Sequence, residues 1–269
     1  MADDDRMRLR VDLAYDGAAF HGFARQPGVE TVQGALEGAL SEILAQEVRT
    51  IGAGRTDRGV HATAQVVHLD VNLNSRSSSV LGDLERLRRR LDNVAGPAVT
   101  VWAVRETSPS FDARRSVVYR QYRYRIMETP TLHPLRRFNV WHLGESLSLR
   151  AMREAAANLV GEHDFASFCR ASEGRTSVRR VDEIRMMRSG GDGLVLRIRG
   201  PAFCQQQVRS IVAALVEVGL RREPPHWIAE VLAARDRGAA ARVAPPQGLD
   251  LERVSYGRRF PAAPPPSAR

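Results

Sequence analysis

The residues of this chain best suited to chemistry lie in positions 50–66, TIGAGRTDRGVHATAQV. There Asp57 stands between Arg55 and Arg58, on a segment punctuated by Gly52, Gly54 and Gly59. Glycine lets the backbone take positive φ and lets another molecule come close to the main chain. Cations beside an acid favour its charged form. The pattern suits one carboxylate held ionised and aimed at a bound group. The same residues also allow a solvated turn with loose ion pairs, each contributing roughly 0–1 kcal/mol. Two other chemistries are excluded. No Gly-Lys-Ser/Thr follows Gly52, so the segment is not a phosphate loop. Asp57 occupies the place of the third glycine of a dinucleotide fingerprint, so it is not that either.

The elements that must hold this segment are legible from periodicity. Residues 9–15 alternate Leu9, Val11, Leu13 and Tyr15 with polar residues, as a half-buried strand does. Asp16-Gly17 ends it with turn chemistry, and the loop that follows carries Phe20 and Phe23, expected to pack. Thr31 is placed to cap a helix to about residue 46, with Val32, Leu36, Leu40 and Ile43 on one face. Strands are expected at 48–51, 64–71 and 99–104. Residues 72–79 read as a polar linker, and 80–91 as an amphipathic helix with Arg86, Arg88, Arg89 and Arg90 outward, either a solvated face or a phosphate contact. The order β-α-β-β-α-β is ferredoxin-like.

From residue 116 the pattern runs through a second such order. A strand at 116–126 puts Tyr122 and Tyr124 on one face and Arg123 and Arg125 on the other. Helices follow at 149–160, at 203–219 and from Pro224, a hairpin at 181–187 and 194–198, and a closing strand at 251–256. The basic loop 170–180 holds Arg170, Arg175, Arg179 and Arg180, candidates for phosphate contact or a plain solvated loop. The expected division is 6–107, 108–260 and a disordered tail at 261–269. The fold class is α+β: two ferredoxin-like halves joined into one extended, mainly antiparallel sheet, with helices on one side and a central active-site cleft.

Composition narrows the partners. The 269 residues carry 40 basic and 31 acidic side chains, a net charge of +9, and every one of those cations is arginine. Such an excess favours a polyanion, most often nucleic acid. Cys169 and Cys204 cannot build a disulfide framework and belong to no CxxC pair, which fits a reduced, cytoplasmic setting. The N-terminus does not read as a signal peptide, and no run reaches transmembrane length. His163 and Asp164 lack further ligands at metal-binding spacing, so no metal and no small-molecule cofactor is expected.

Gly54-Arg55-Thr56-Asp57-Arg58-Gly59-Val60-His61 resembles the GRTDxGVH signature of the TruA family of tRNA pseudouridine synthases. The likeness extends through Tyr15-Asp16-Gly17, Phe111-Asp112-Ala113-Arg114 (Asp replaces the family's His), the Gly161–Phe168 stretch GEHDFASF, and Ala244 to Leu249. The resemblance implies Asp57 as the catalytic carboxylate and Arg55 as the residue that helps turn the target nucleotide out of its stack. It implies Tyr122 packed beside the base and Arg209 paired with the acid, although Gln205-Gln206-Gln207 stands where the family shows His or Met. Arg58, His61, Arg114 and Leu249 join the basic loop as candidate substrate or RNA contacts. It further implies uridines 38 to 40 of the tRNA anticodon stem-loop as targets and a homodimer. A non-catalytic RNA-binding protein and an N-glycosidic-bond hydrolase are the competing readings.

Overall fold

The computed structural model describes residues 6–170, 174, 176–190, 193–240, 242–258 and 260. Arg175 and the tail at 261–269 lie outside them. In chain order the elements are β1 (Arg6–Tyr15), α1 (Val32–Leu44), β2 (Ile51–Gly52), β3 (His61–Asn72), α2 (Ser75–Leu81), α3 (Leu84–Ala95), β4 (Val99–Glu106), β5 (Tyr119–Met127), β6 (Trp141–His142), α4 (Leu149–Ala157), β7 (Gly161–Asp164), β8 (Val178–Val181), β9 (Glu183–Ser189), β10 (Gly193–Gly200), α5 (Gln207–Gly219), α6 (Trp227–Ala234) and β11 (Leu249–Ser255). The fold is α+β and mainly antiparallel: β1–β3, β1–β4, β2–β3, β5–β10, β9–β10 and β7–β8 are antiparallel pairs, and β5 pairs with β6 in parallel. Among the described residues, no helix is long and apolar enough to cross a membrane.

The chain forms two compact units: one holds residues up to Val118 and those from Leu251 onward, the other Tyr119–Asp250. In the first, β1 lies between β3 and β4, and β2 pairs with β3. Leu9, Val11 and Leu13 are fully buried, as their alternation requires. The expectation of a half-buried strand needs correction, because Arg10 and Asp12 on the other face are buried too. Asp12 accepts from Arg10 (2.6 Å) and Arg105 (2.7 Å), and the Arg10 guanidinium lies over Tyr256 and Phe111, 4.9 and 5.5 Å from the ring centroids. A buried charge is tolerated when paired and hydrogen-bonded, and that pairing lets the face close. The segment after β4 does the closing: Phe111 is fully buried, the Tyr256 hydroxyl donates to Ala113 O (2.8 Å), and Ala113 N–H donates to His68 Nδ1 (3.0 Å). The Phe111-Asp112-Ala113-Arg114 stretch, read from sequence with the second half, thus packs in the first unit.

The 72–79 stretch is also corrected, from linker to helix. Asn74 and Ser77 exchange hydrogen bonds across the first turn of α2, and Asp83 caps α3 by accepting from Arg86 N (2.9 Å). These side chains supply the partners that a helix start lacks. Of the four outward arginines on α3, Arg88 is committed to Glu85 (2.8 Å) and to Val101 O (3.1 Å).

In the second unit, β5, β10 and β9 lie side by side, and β10 and β9 make the expected hairpin. Gly161–Asp164 of the GEHDF stretch is strand β7, paired with β8 in a separate two-stranded sheet, so Arg179 and Arg180 of the expected basic loop lie on a strand. His163 faces Arg179 across the pair, and Asp164 accepts from the Ser177 hydroxyl (2.5 Å). Cys169 and Cys204 are brought side by side, with Cα atoms 5.8 Å apart. Spacing does not reveal this pair, because a non-local contact across 35 positions brings it together: Arg170 N–H donates to Gln205 O beside it (3.0 Å).

His68 gives a pH test of the first unit. Burial, then the charge of Arg8, hold its imidazole below the ordinary value of 6.5, against the opposing pull of Asp112 and Asp70. Below about pH 6.5 the unfolded chain therefore takes up a proton that the folded chain refuses, and stability falls with pH. The urea midpoint should be lower at pH 5.5 than at pH 7.5. In His68→Gln, whose amide oxygen can still accept from Ala113 N–H, the drop should be smaller.

Candidate active site

The segment carrying Asp57 leaves β2 as irregular backbone. Ile51 and Gly52 pair with His68 and Val67, and Ala53 N–H reaches Val66 O (2.8 Å). Ladder pairing then gives way to a side chain. Gln65 is fully buried, and its amide donates to Gly54 O (2.8 Å) while its carbonyl accepts from Val66 N–H (3.1 Å) and Gly54 N–H (3.4 Å). Thr56 is buried, and its hydroxyl meets the Tyr15 hydroxyl at 2.8 Å. A turn follows, closed by Val60 N–H on Asp57 O (3.1 Å), with Gly59 at φ 77°. Asp57 is half-buried, flanked by exposed Arg55 and Arg58.

The Tyr15-Asp16-Gly17 turn packs directly on this loop. A Cβ built on Gly17 would lie 2.0 Å from Val60 O, so only glycine fits against that backbone. His61 Nδ1 accepts from Gly17 N–H (3.1 Å) and lies 3.0 Å from Asp16 Oδ1, an ion pair only when the ring is protonated. On the other side Phe23 N–H donates to Thr56 O (3.1 Å), and Phe20 and Phe23 are buried as expected. The start of α1 anchors that loop through Val32 N–H to Gly22 O (3.2 Å) and Gln33 N–H to Phe23 O (2.9 Å). Thr31 caps α1 as read from sequence, accepting from Gly34 N–H (3.2 Å). Glu37, buried on the same helix, accepts from Thr50 N–H (2.8 Å) and the Thr50 hydroxyl (3.1 Å), just before the loop begins.

In the second unit, Tyr122 and Tyr124 share a buried face of β5, as their spacing requires. Tyr122 meets Phe203 edge-on at 5.4 Å. Tyr124 donates to Pro245 O (2.7 Å), and its ring leaves room for no side chain at Gly248, where a Cβ would sit 2.6 Å away. Burial pushes the Tyr124 phenol up, with the charge of Arg209 pulling weakly the other way. Arg209 Nε donates to Ala244 O (2.7 Å), so Arg209 and Tyr124 are both tied to the 244–248 segment. The alternate residues Arg123 and Arg125 are paired with buried Asp250.

The first unit thus brings together Asp57, Arg55, Arg58 and His61, with His61 committed to the Tyr15-Asp16-Gly17 turn. The second brings Arg209 to the segment before Leu249, and Leu249 itself is buried. Arg114 is exposed on a turn fixed by Asp112, whose Oδ1 accepts from Arg114 N–H and Arg115 N–H, both at 2.8 Å. Arg170 and Arg180 are exposed, and Arg179 is half-buried. Among the described residues, no group of three or more His, Cys, Asp or Glu is placed to hold a metal ion. Sequence reasoning missed Gln65, Glu37 and the Tyr15–Thr56 contact. One signal was available: Gln65 shares the inward parity of Val67, Leu69 and Val71, so a polar residue faces the core there.

Known proteins resemble this chain over nearly its whole length. A family described as tRNA pseudouridine synthase matches residues 13–102 and 155–257, which include the Asp57 loop, Arg209 and Gly248. The chain belongs to that family. "tRNA pseudouridine synthase A" of Frankia casuarinae is 45% identical over 255 residues, 94% of this chain and 90% of that relative. Proteins of the same name from Streptomyces griseus and Thermotoga sp. RQ2 are 41% and 40% identical, over 95% and 93% of this chain and 90% and 99% of their own. The protein is therefore an enzyme, a pseudouridine synthase, and its reaction is an isomerisation.

For this synthase the contact of Gly17 with Val60 makes a direct test. Gly17→Ala should cost about 1–3 kcal/mol, the usual range for overpacking a close contact, read as a drop in the urea midpoint. Gly28→Ala, where nothing lies within 4 Å of the added carbon, should stay stable apart from the strain of its φ of 73°, and is expected to fall less.

Proposed function

We propose that the protein converts uridine to pseudouridine at positions 38 to 40 of the tRNA anticodon stem-loop, with Asp57 as its catalytic carboxylate. The observation that carries this reading is the clamped turn: an aspartate between two exposed arginines, on backbone fixed by Gln65, Thr56 and Gly59. Family membership supplies the reaction and tRNA as the substrate class.

The reaction breaks the C1′–N1 bond of uridine, rotates the base and joins C1′ to C5, with the C5 proton lost and N1 protonated. Atoms and electrons balance within the nucleoside. The target base must first leave its stack, at a cost of a few kcal/mol. Arg55 is suited to filling the vacancy, because a planar guanidinium both stacks and donates hydrogen bonds. Asp57 then acts at the sugar, as a nucleophile at C1′ or as a base at C2′. The family resemblance implies Arg209 as its counter-charge and Tyr122 as the ring beside the uracil. Arg58, Arg114, Arg170, Arg179 and Arg180 are candidates to grip phosphates, where each cation displaces counterions from the RNA.

The test is incubation with unmodified whole tRNA followed by pseudouridine mapping and mass analysis. The expected product carries pseudouridine at 38 to 40 with unchanged RNA mass, whereas a hydrolase would release free base. Asp57→Asn should form no product in single-turnover assays while binding tRNA nearly as well as the parent. A rate above a small fraction of the parent's would remove Asp57 from the mechanism.

The family resemblance also implies a homodimer, and the reading adopts it, since adjacent targets are best registered by shape and phosphate contacts spread over two basic subunits. Light scattering at assay concentration should give twice the mass of one chain, and an isolated anticodon stem-loop should react much more slowly than whole tRNA.

A further inference from the structure

We infer that Gln65 and Tyr15 are positioning residues for the isomerisation, acting through the backbone of Gly54 and the hydroxyl of Thr56 to aim Arg55 and Asp57. The inference rests on the reading of Asp57 as the reacting carboxylate.

Gln65 sits on the face of β3 that carries Val67 and Leu69, opposite Leu13 of β1, among apolar residues of the core. A buried amide in that place is accounted for by its bonds, and all of them go to the irregular segment or its support. Nε2 donates to Gly54 O at 2.8 Å and reaches the Tyr15 hydroxyl at 3.5 Å; Oε1 accepts from Val66 N–H at 3.1 Å and Gly54 N–H at 3.4 Å. The Tyr15 oxygen in turn lies 2.8 Å from Thr56 Oγ1. Gln65, Tyr15 and Thr56 therefore form one continuous set of contacts, in which either hydroxyl of the Tyr15–Thr56 pair can be the donor.

The consequence is local and specific. Arg55 is exposed between two fixed neighbours, Gly54 held at its backbone and Thr56 held at its side chain. Thr56 immediately precedes Asp57, and its carbonyl is held in turn by Phe23 N–H. Gln65, Tyr15 and Thr56 are themselves buried, which suits support of the loop rather than direct contact with RNA. Misplacement of a reacting group by about 1 Å can cost on the order of 100-fold in rate, and this is the lever the clamp controls.

The test uses Tyr15→Phe, Thr56→Val, Thr56→Ser, Gln65→Glu and the Tyr15→Phe/Thr56→Val double variant on whole tRNA. Single-turnover rate at saturating enzyme, tRNA Kd and urea midpoint are measured for each. Tyr15→Phe and Thr56→Val should each slow the chemical step about tenfold, the effect of losing one hydrogen bond, with Kd within about twofold. Because they break the same bond, the double variant should be no slower than the slower single. Thr56→Ser, which keeps the hydroxyl, should restore the rate. Gln65→Glu, which loses the donors, should fall about 100-fold. Parental rates in Tyr15→Phe and Thr56→Val, multiplying losses in the double variant, or losses matched by the unfolded fraction would each overturn the inference. Asp57→Asn in parallel separates the two readings. An active Asp57→Asn defeats the assignment of the carboxylate, and with it the inference. An inactive one beside fully active clamp variants defeats the positioning role alone.

Discussion

Backbone that turns away from a sheet ladder inside a protein must find other hydrogen-bond partners, and the structure around Asp57 follows from that requirement. A buried polar group left without a partner costs roughly 1–3 kcal/mol. Residues 50–60 leave β2 after two paired positions, yet their groups are met in sequence: Thr50 by Glu37, Ala53 by Val66, Gly54 by Gln65, Thr56 by Tyr15 and Phe23, Asp57 by Val60. The partners come from β1, β3, α1 and the loop before α1. Much of a short irregular loop is thereby given fixed partners, which is what an aimed side chain needs.

The opposite face of the same strands shows the constraint for charge. Asp12 and Arg10 are buried there, paired with each other and joined by Arg105, under Phe111 and Tyr256. Covering that face takes residues from the segment after β4 and from the far end of the chain. β1 is therefore enclosed on both faces, and the strand that leads into the Tyr15-Asp16-Gly17 turn has little room to shift. The second unit uses the same means on a smaller scale: Arg209 and Tyr124 both bond to carbonyls of the 244–245 stretch, and Gly248 gives the Tyr124 ring its space.

The surface tells a separate story. Many arginines are committed within the protein, as Arg10, Arg88, Arg105 and Arg123 are, and the net charge of +9 alone does not say which ones meet RNA. Arg55, Arg58, Arg114, Arg170 and Arg180 are exposed. Long-range attraction to a polyanion belongs to the whole charge distribution, whereas direct phosphate contacts can come only from exposed side chains.

The sequence by itself determined the features that depend on local pattern. Alternation gave β1, β3 and β5 and placed Tyr122 beside Tyr124; Thr31 marked the start of α1; the glycines and charges of 52–59 marked the candidate loop, and its motif pointed to the family. Only the tertiary structure decided what depends on partners distant in sequence. Arg10 and Asp12 look solvent-facing until Phe111 and Tyr256 cover them. The 72–79 stretch looks like a linker because its helix is set by capping side chains, not by an apolar face. Cys169 finds Cys204 only when β7, β8 and the start of α5 are assembled. Gln65 shows its inward parity in the sequence, but its bonds to Gly54 exist only once β2 and β3 pair. Periodicity records which way a side chain points, and only packing supplies what it meets there.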